Sequence, residues 1–515
     1  MQLFFWALHL CAASENIYKN YSVMKKVIYF ILAAISAMIA TSCEKGDFAM
    51  DGWYGAADSY PMEDVEDQGG DKYEDFADNP FMDTSKNPVS TFSVDADGAS
   101  YANMRRFIKE GMLPHKNSVR VEEFLNYFTF NYEEPVGDHT VAINATAGPC
   151  AWNPEHRLLR LGIKGKSMEM QAHPAANFVF LIDVSGSMNS QDKLYLLKSG
   201  LNTLVDNLRP TDRISIITYS GGVKKLLEST LVSDAGTIKK AISSLVASGS
   251  TAGGAALKMA YEEAVENFIE GGNNRVIMGT DGDFNVGVTG TDALVEMVES
   301  YAVKGIYLTV CGFGRGNLND SMMEKISNSG NGTYEYIDSE GELTKVFVNE
   351  RSEFFSVAND SKIQITFDPA KVAQYRLIGY ENRVLSQDDF ENDQKDAGEI
   401  GAGQTITAVY EIVPAEGYAP GADFAKFDFR YKKALGEESI PLTMTVQAPA
   451  EGAAPDPEFM FASGVVAYGM LLRDSPHKGT ATFDMAAELV EDGLAFDPYG
   501  YRAELVDLIK RAKNL

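Results

Sequence analysis

Residues 178–187 read FVFLIDVSGS, and this stretch decides the fold. Its first five residues are apolar without interruption, which is typical of a central strand in a parallel sheet with both faces covered. Asp183, Ser185 and Ser187 follow directly, and residues two apart in an extended segment share a face. Gly186 lets the backbone turn tightly between the two serines. The stretch therefore predicts a buried strand that ends in a loop with one carboxylate and two hydroxyl groups on one side.

The sequence around this strand, over residues 172–357, alternates apolar strand patterns with helix patterns. Further strands are predicted at 213–219, 276–279 and 306–310, with helices between them. This alternation predicts an α/β, Rossmann-like domain built on a doubly wound parallel sheet. Ligands of such sheets bind outside the carboxyl ends of the strands. We therefore expect the binding loops at that edge.

Two more loops are expected at the same edge. One is residues 248–254 (SGSTAGG), which contain Thr251, and the other is residues 280–282 (TDG), which contain Asp281. With the first loop they offer two carboxylates and three hydroxyl groups, all hard oxygen donors. Such donors suit Mg²⁺ or Mn²⁺ in octahedral geometry. Because few of the donors are charged, the cation would stay electrophilic and would accept a carboxylate from outside.

The three loops together resemble the metal-ion-dependent adhesion site of von Willebrand factor A domains. The resemblance implies that the metal is held, in part through water, by Asp183, Ser185, Ser187, Thr251 and Asp281. It also implies that the open coordination position accepts an acidic residue of a partner protein. All five positions match the family pattern, so we expect a competent metal site.

On either side of this domain, residues 92–95 (FSVD), 100–103 (SYAN) and 468–475 (YGMLLRDS) resemble a bacterial envelope lipoprotein subfamily. The resemblance covers nearly all of residues 85–515. That subfamily carries an A domain between its own N- and C-terminal regions. We predict, in chain order, an α+β N-terminal region, the A domain, a β-sandwich-like region and a C-terminal helical region, at residues 85–171, 172–357, 358–448 and 449–515. One hypothesis stays open, namely that the strands within 139–165 and 358–448 form one sandwich into which the A domain is inserted.

The N-terminus determines the expected compartment. Lys25 and Lys26 precede the apolar run 27–40 and the small residues before Cys43, which is the pattern of a secretory signal. It resembles a bacterial lipoprotein signal, whose cleavage leaves Cys43 as the lipidated first residue, and Met24 is the better start. We therefore expect a signal region ending at Cys43 and a lipoprotein of the bacterial cell envelope, periplasmic or surface-exposed.

The charge of the chain limits its partners. The formal net charge is −28, and residues 44–84 are rich in Asp, Glu and Gly without helical or strand periodicity. This segment is predicted to be an acidic, disordered tether. So acidic a protein is not expected to bind nucleic acid or an anionic membrane face. Contact with the membrane is expected through the lipid anchor alone.

Enzyme motifs do not account for the sequence. It contains no Gly-x-Ser-x-Gly nucleophile elbow, no His-Glu-x-x-His zinc pattern and no P-loop. Residues 281–285 resemble the start of a calcium-binding loop, but Val286 and Asp292 stand where that loop needs Gly and Glu. We predict a binding or adhesion protein and not an enzyme. Two alternatives stay open: an assembly or chaperone factor acting with a separate ATPase, and a structural envelope protein with a fold-stabilising metal.

Overall fold

The computed structural model of the 515-residue chain describes most of the sequence from Gly70 onward. Cys43, the predicted signal region, most of the predicted tether and Thr251 lie outside the described residues. Within the described part, no helix is long and apolar enough to cross a membrane. The described residues are 70–75, 77–169, 172–249, 253–282, 291–316, 318–393, 395, 397–454 and 456–515.

The strands and helices are numbered here along the chain. The strands are β1 (Met82–Asp83), β2 (Val89–Ser93), β3 (Val141–Pro149), β4 (Arg157–Gly165), β5 (Ala176–Asp183), β6 (Arg213–Tyr219), β7 (Val223–Leu231), β8 (Asn273–Thr280), β9 (Ile306–Phe313), β10 (Tyr334–Ile337), β11 (Ser356–Phe367), β12 (Val372–Ile378), β13 (Val384–Leu385), β14 (Ile400–Gly401), β15 (Thr405–Pro414), β16 (Asp423–Lys432) and β17 (Ile440–Gln447). The α-helices are α1 (Ala99–Lys109), α2 (Val121–Asn126), α3 (Leu196–Asn207), α4 (Ala235–Ser243), α5 (Gly253–Glu266), α6 (Thr291–Ala302), α7 (Asp320–Ser329), α8 (Glu340–Thr344), α9 (Pro457–Leu472), α10 (Phe483–Asp492) and α11 (Tyr501–Ala512).

The central sheet has the strand order β10-β9-β8-β5-β6-β7 and is parallel except for the edge strand β7, which runs antiparallel to β6. Side chains of β5 alternate between two cores. Val179 and Leu181 belong to the core that contains α5 and α6, whereas Phe178, Phe180 and Ile182 pack with α3. Both faces of β5 are therefore covered, which explains its uninterrupted apolar sequence. The predicted Rossmann-like α/β fold is confirmed.

Two antiparallel sheets form a sandwich beside this domain. Their strand orders are β1-β12-β15-β4-β3 and β13-β2-β11-β16-β17, with β14 added to β11. Strand β4 pairs with β15 from Arg157 opposite Ile412 to Lys164 opposite Thr405. Strands from before and after the central domain thus share one sheet, which agrees with the hypothesis of an inserted A domain. Strands from residues 85–171 and from residues 358–448, which are far apart in the sequence, therefore form one sandwich.

The N-terminal end of the described chain is packed, which corrects the prediction of a disordered tether that extends to residue 84. Strand β1 pairs with β12, and Lys72 forms a parallel bridge with Asn319. Asp78 is ion-paired with Arg473 at 2.8 Å. Among the described acidic residues of this segment, Asp71 and Asp78 have arginine partners, and Asp71 also accepts backbone hydrogen bonds, which composition alone does not reveal.

The C-terminal helices α9, α10 and α11 pack on one another and, through α9, on α2. The predicted apolar face of the last helix is mostly buried, at Leu505, Leu508, Ile509 and Ala512. Leu515 was predicted to belong to this face but is 51% exposed. The reason is that α11 ends at Ala512, so the helical periodicity does not extend to the last residue.

A polar cavity of about 120 Å³ lies where the amino ends of the central strands meet the sandwich. It is lined by several charged groups, among them Asp97, Arg275, Glu335 and Glu353. Oδ2 of Asp97 has no hydrogen-bond partner among the described residues. Burial raises the pKa of Asp97 and of Glu353 well above the ordinary carboxyl range. The junction between the two parts of the fold therefore encloses carboxyl groups that are costly to ionise.

Glu335 makes this junction sensitive to pH. Burial raises its pKa from 4.5 to about 8, against the opposing charge of Lys345. Between these values the folded protein keeps a proton that the unfolded chain has lost, so stability falls as the pH rises. We expect Glu335→Gln to gain on the order of 3 kcal/mol relative to the wild type between about pH 5 and about pH 8, measured by chemical denaturation.

The matched control for this prediction is Glu437→Gln, at an exposed glutamate in the turn between β16 and β17. The difference in the free energy of unfolding between Glu437→Gln and the wild type should stay constant across the same pH range. Parallel pH curves for the wild type and Glu335→Gln would contradict the prediction.

Candidate metal centre

Asp183 is the last residue of β5 and lies at the carboxyl edge of the central sheet, where its carboxylate is fully buried. Oδ1 of Asp183 accepts a hydrogen bond from the backbone N of Ser185 at 2.8 Å. The hydroxyl oxygens of Ser185 and Ser187 are 3.0 Å apart. Thr280, the last residue of the neighbouring strand β8, has its Oγ1 3.4 Å from Oδ2 of Asp183. The structure thus brings together the three side chains predicted from the first loop.

The second predicted loop is docked on the first by backbone hydrogen bonds. The N of Gly186 donates to the carbonyl of Gly249 at 3.0 Å, and the N of Ser248 donates to the carbonyl of Val184 at 2.7 Å. Gly249 has φ +83°, a left-handed conformation that favours glycine. The chain that leads to Thr251 is therefore held against the Asp183 loop, while Thr251 itself lies outside the described residues.

Asp281 reaches the site from the neighbouring strand. Strand β8 pairs in parallel with β5, with Ile182 opposite Gly279, so Asp281, which directly follows β8, lies at the same edge of the sheet as Asp183. Burial raises the pKa of Asp183 to about 6; hydrogen bonds from Ser185 oppose this shift, and the negative charge of Asp281 adds to it. Two buried carboxylates whose negative charges act on each other require positive charge nearby.

Lys193 is a part of the site that the sequence did not predict. Its Nζ donates a hydrogen bond to Oδ2 of Asp281 at 2.9 Å, and the two side chains are 10% and 0% exposed. Lys193 lies in the π-helical segment Gln191–Tyr195, just before α3. Its aliphatic stem crosses Gly314, where any Cβ would collide with it. No spacing rule connects these three positions, so only the tertiary structure reveals their contact.

The loop that follows β9 is held from its other side by the N-terminal segment. The backbone N atoms of Gly316 and Leu318 donate to Oδ1 of Asp71, at 2.7 and 3.1 Å. The other carboxylate oxygen of Asp71 accepts a hydrogen bond from Arg106. This anchoring fixes the backbone near Gly314, against which the Lys193 stem packs.

The donor set fits a hard divalent cation. Asp183, Ser185, Ser187 and Asp281 present oxygen atoms only, and these are the ligands that Mg²⁺ and Mn²⁺ prefer. The two carboxylates are fully buried, so a cation between the loops would compensate charge that the fold has removed from water. No group of three or more His, Cys, Asp or Glu side chains in the described chain is arranged to hold a metal, and this donor set contains only two such side chains, Asp183 and Asp281.

Comparison with known families agrees with this architecture. Residues 177–349 match the family described as von Willebrand factor type A domain. Residues 67–160 match the family described as von Willebrand factor, and residues 352–515 match the one described as Uncharacterized protein YfbK, C-terminal. Type A domains commonly bind a divalent metal ion.

Individual relatives cover different shares of the chain. Uncharacterized protein YfbK of Escherichia coli (strain K12) is 39% identical over 483 residues, which are 88% of this chain and 82% of that protein. Inter-alpha-trypsin inhibitor heavy chain H4 of Homo sapiens is 30% identical over 204 residues, 37% of this chain and 21% of that protein. A solved structure, von Willebrand factor type A from Catenulispora acidiphila, has a TM-score of 0.43 at 15% identity and covers 74% of this chain and 91% of its own. The extent of the match to the Escherichia coli protein shows that this chain belongs to the YfbK-like family of von Willebrand factor type A domain proteins.

Proposed function

We propose that this protein is an extracytoplasmic, lipid-anchored binding protein that captures a partner protein through a divalent metal ion. A type A domain implies a role in protein–protein interaction or adhesion. The observation that supports the metal-dependent mode is the convergence of Asp183, Ser185 and Ser187 with Asp281 from the adjacent strand. Thr251 is proposed as the fifth ligand.

The proposed ion is Mg²⁺ or Mn²⁺, and the proposed partner is a protein that offers an exposed Asp or Glu side chain. The cation supplies the positive charge at which that carboxylate binds. This matters for a chain with a formal net charge of −28, which repels acidic ligands at long range. The surrounding loops would then distinguish one acidic surface from another.

The anchor is proposed at Cys43, after cleavage of the signal region, and it places the protein in the bacterial cell envelope. The support for this part is the basic, apolar and small-residue pattern that ends at Cys43. The acidity of the chain disfavours direct contact between its folded part and an anionic lipid surface. The lipid is therefore the one membrane contact that we propose.

Calorimetric titration of Mg²⁺ and of Mn²⁺ into the full chain tests the metal site. We expect the wild type to bind one ion, and Asp183→Ala to lose more than about 100-fold in affinity, the upper range for residues that merely support a metal ligand. The reason is that the substitution removes a buried, charged donor at the centre of the site.

The matched control is Asp206→Ala, which removes an aspartate from the same domain at the exposed pair between Asp206 and Lys239. Its metal affinity should equal that of the wild type. The proposal fails if the wild type shows no saturable binding, or if Asp183→Ala binds the ions as tightly as the wild type does.

A further inference from the structure

We propose that Lys193 competes with the divalent ion for Asp281 and thereby sets the metal affinity of the site. The inference rests on the proposed metal function and deepens it, because it concerns a residue outside the predicted ligand set. It stands on the geometry of one buried ion pair and on the packing that holds this pair in place.

The first step is the ion pair itself. The ammonium of Lys193 donates to Oδ2 of Asp281 at 2.9 Å, with both side chains almost wholly removed from solvent. A divalent ion that uses Asp281 must share this carboxylate with the ammonium. Two positive charges on one carboxylate repel each other, and in a buried site water screens this repulsion only weakly. The lysine charge therefore opposes metal binding.

The second step is that Lys193 is not free to move aside. Its stem packs on Gly314, in a loop whose Gly316 and Leu318 amides are bound by Asp71. The backbone of Lys193 departs from helical geometry, with φ −123° and ψ −107°, inside an otherwise helical segment. The ammonium is thus a fixed part of the site and does not behave as a surface lysine that swings into solvent.

The third step is the balance between the two forms of the protein. Without metal, Lys193 compensates the negative charge of Asp183 and Asp281, because removing one member of a buried ion pair leaves an uncompensated charge. With metal, the same lysine adds a repulsion. The residue therefore stabilises the metal-free protein and weakens metal binding, so that the occupancy of the site responds to the metal concentration.

Magnesium titration into full-chain Lys193→Met and Lys193→Gln tests this competition. Both variants lose the charge, and the glutamine keeps a hydrogen-bond donor toward Asp281 in case the methionine variant does not fold. We expect their dissociation constants for Mg²⁺ to be at least tenfold lower than that of the wild type, which is about 1.4 kcal/mol. In the presence of a chelator, we expect both variants to melt at a lower temperature than the wild type.

Two controls separate charge from position. Lys193→Arg keeps the positive charge and should bind Mg²⁺ like the wild type. Lys239→Met removes a positive charge from the exposed pair with Asp206 in the same domain and should also leave the affinity unchanged.

The outcomes separate this inference from the proposed function. One outcome is that the wild type binds Mg²⁺ while both neutral variants bind it as tightly as the wild type or more weakly. That result overturns the proposal that Lys193 competes with the metal and leaves the proposed metal function standing. If neither the wild type nor the variants bind, both are overturned. If the neutral variants alone bind, the competition is supported, and the metal function of the wild-type protein is not.

Discussion

Arg120→Met is expected to lower the free energy of unfolding by about 3–5 kcal/mol. The Arg120 side chain is 2% exposed and is ion-paired with Glu123, Asp320 and Glu324, all of them buried. Burial raises the pKa of Glu123 to about 8, and Arg120 is the main group that opposes this rise. Methionine keeps the apolar stem but leaves three carboxyl groups without this counter-charge. Chemical denaturation near neutral pH measures the loss.

The matched control for Arg120 is Arg315→Met. Arg315 is ion-paired with Glu110, but its side chain is 59% exposed. An exposed pair contributes little, so the control should lose less than about 1 kcal/mol. Equal losses in the two variants would show that the burial of the Arg120 cluster does not determine its contribution.

Gly332→Ala is expected to destabilise the protein by about 3 kcal/mol through overpacking. A Cβ at Gly332 would overlap the carbonyl group of Leu308, which lies in β9. Leu308 is paired with Val276 of β8, and its N donates a hydrogen bond to the carbonyl of Gly330, so its backbone is held on both sides. Thermal unfolding followed by circular dichroism measures the effect.

The control for this substitution is Gly236→Ala in helix α4. A Cβ at Gly236 meets no atom within 4 Å among the described residues. Alanine is the better helix former, so the control should stabilise the protein by up to about 1 kcal/mol. A melting temperature of Gly332→Ala equal to that of the wild type would contradict the overpacking argument.

The α/β fold and the loop that follows β5 could be predicted because their signals are local. The apolar run of β5 indicates that the strand is buried on both faces. The spacing of two residues is enough to predict that Asp183, Ser185 and Ser187 lie on the same side. The meeting of Asp281 with this loop followed from a general rule, that the carboxyl ends of neighbouring parallel strands lie at one edge of the sheet. The metal-ligand roles of all five predicted residues, Thr251 among them, and the lipidation of Cys43 stay predictions.

The tertiary structure alone decided the remaining features. The pairing of β4 with β15, across the whole inserted domain, depends on which strand edges meet, and periodicity shows only that each strand exists. The packing of Asp71 on the loop after β9, and of Lys193 on Asp281, joins residues far apart in the chain through single contacts. The sequence by itself determined which segments are strands, helices and donor-bearing loops. Which distant segments contact one another depends on the folded structure, because a buried charged side chain is stable only beside an opposite charge.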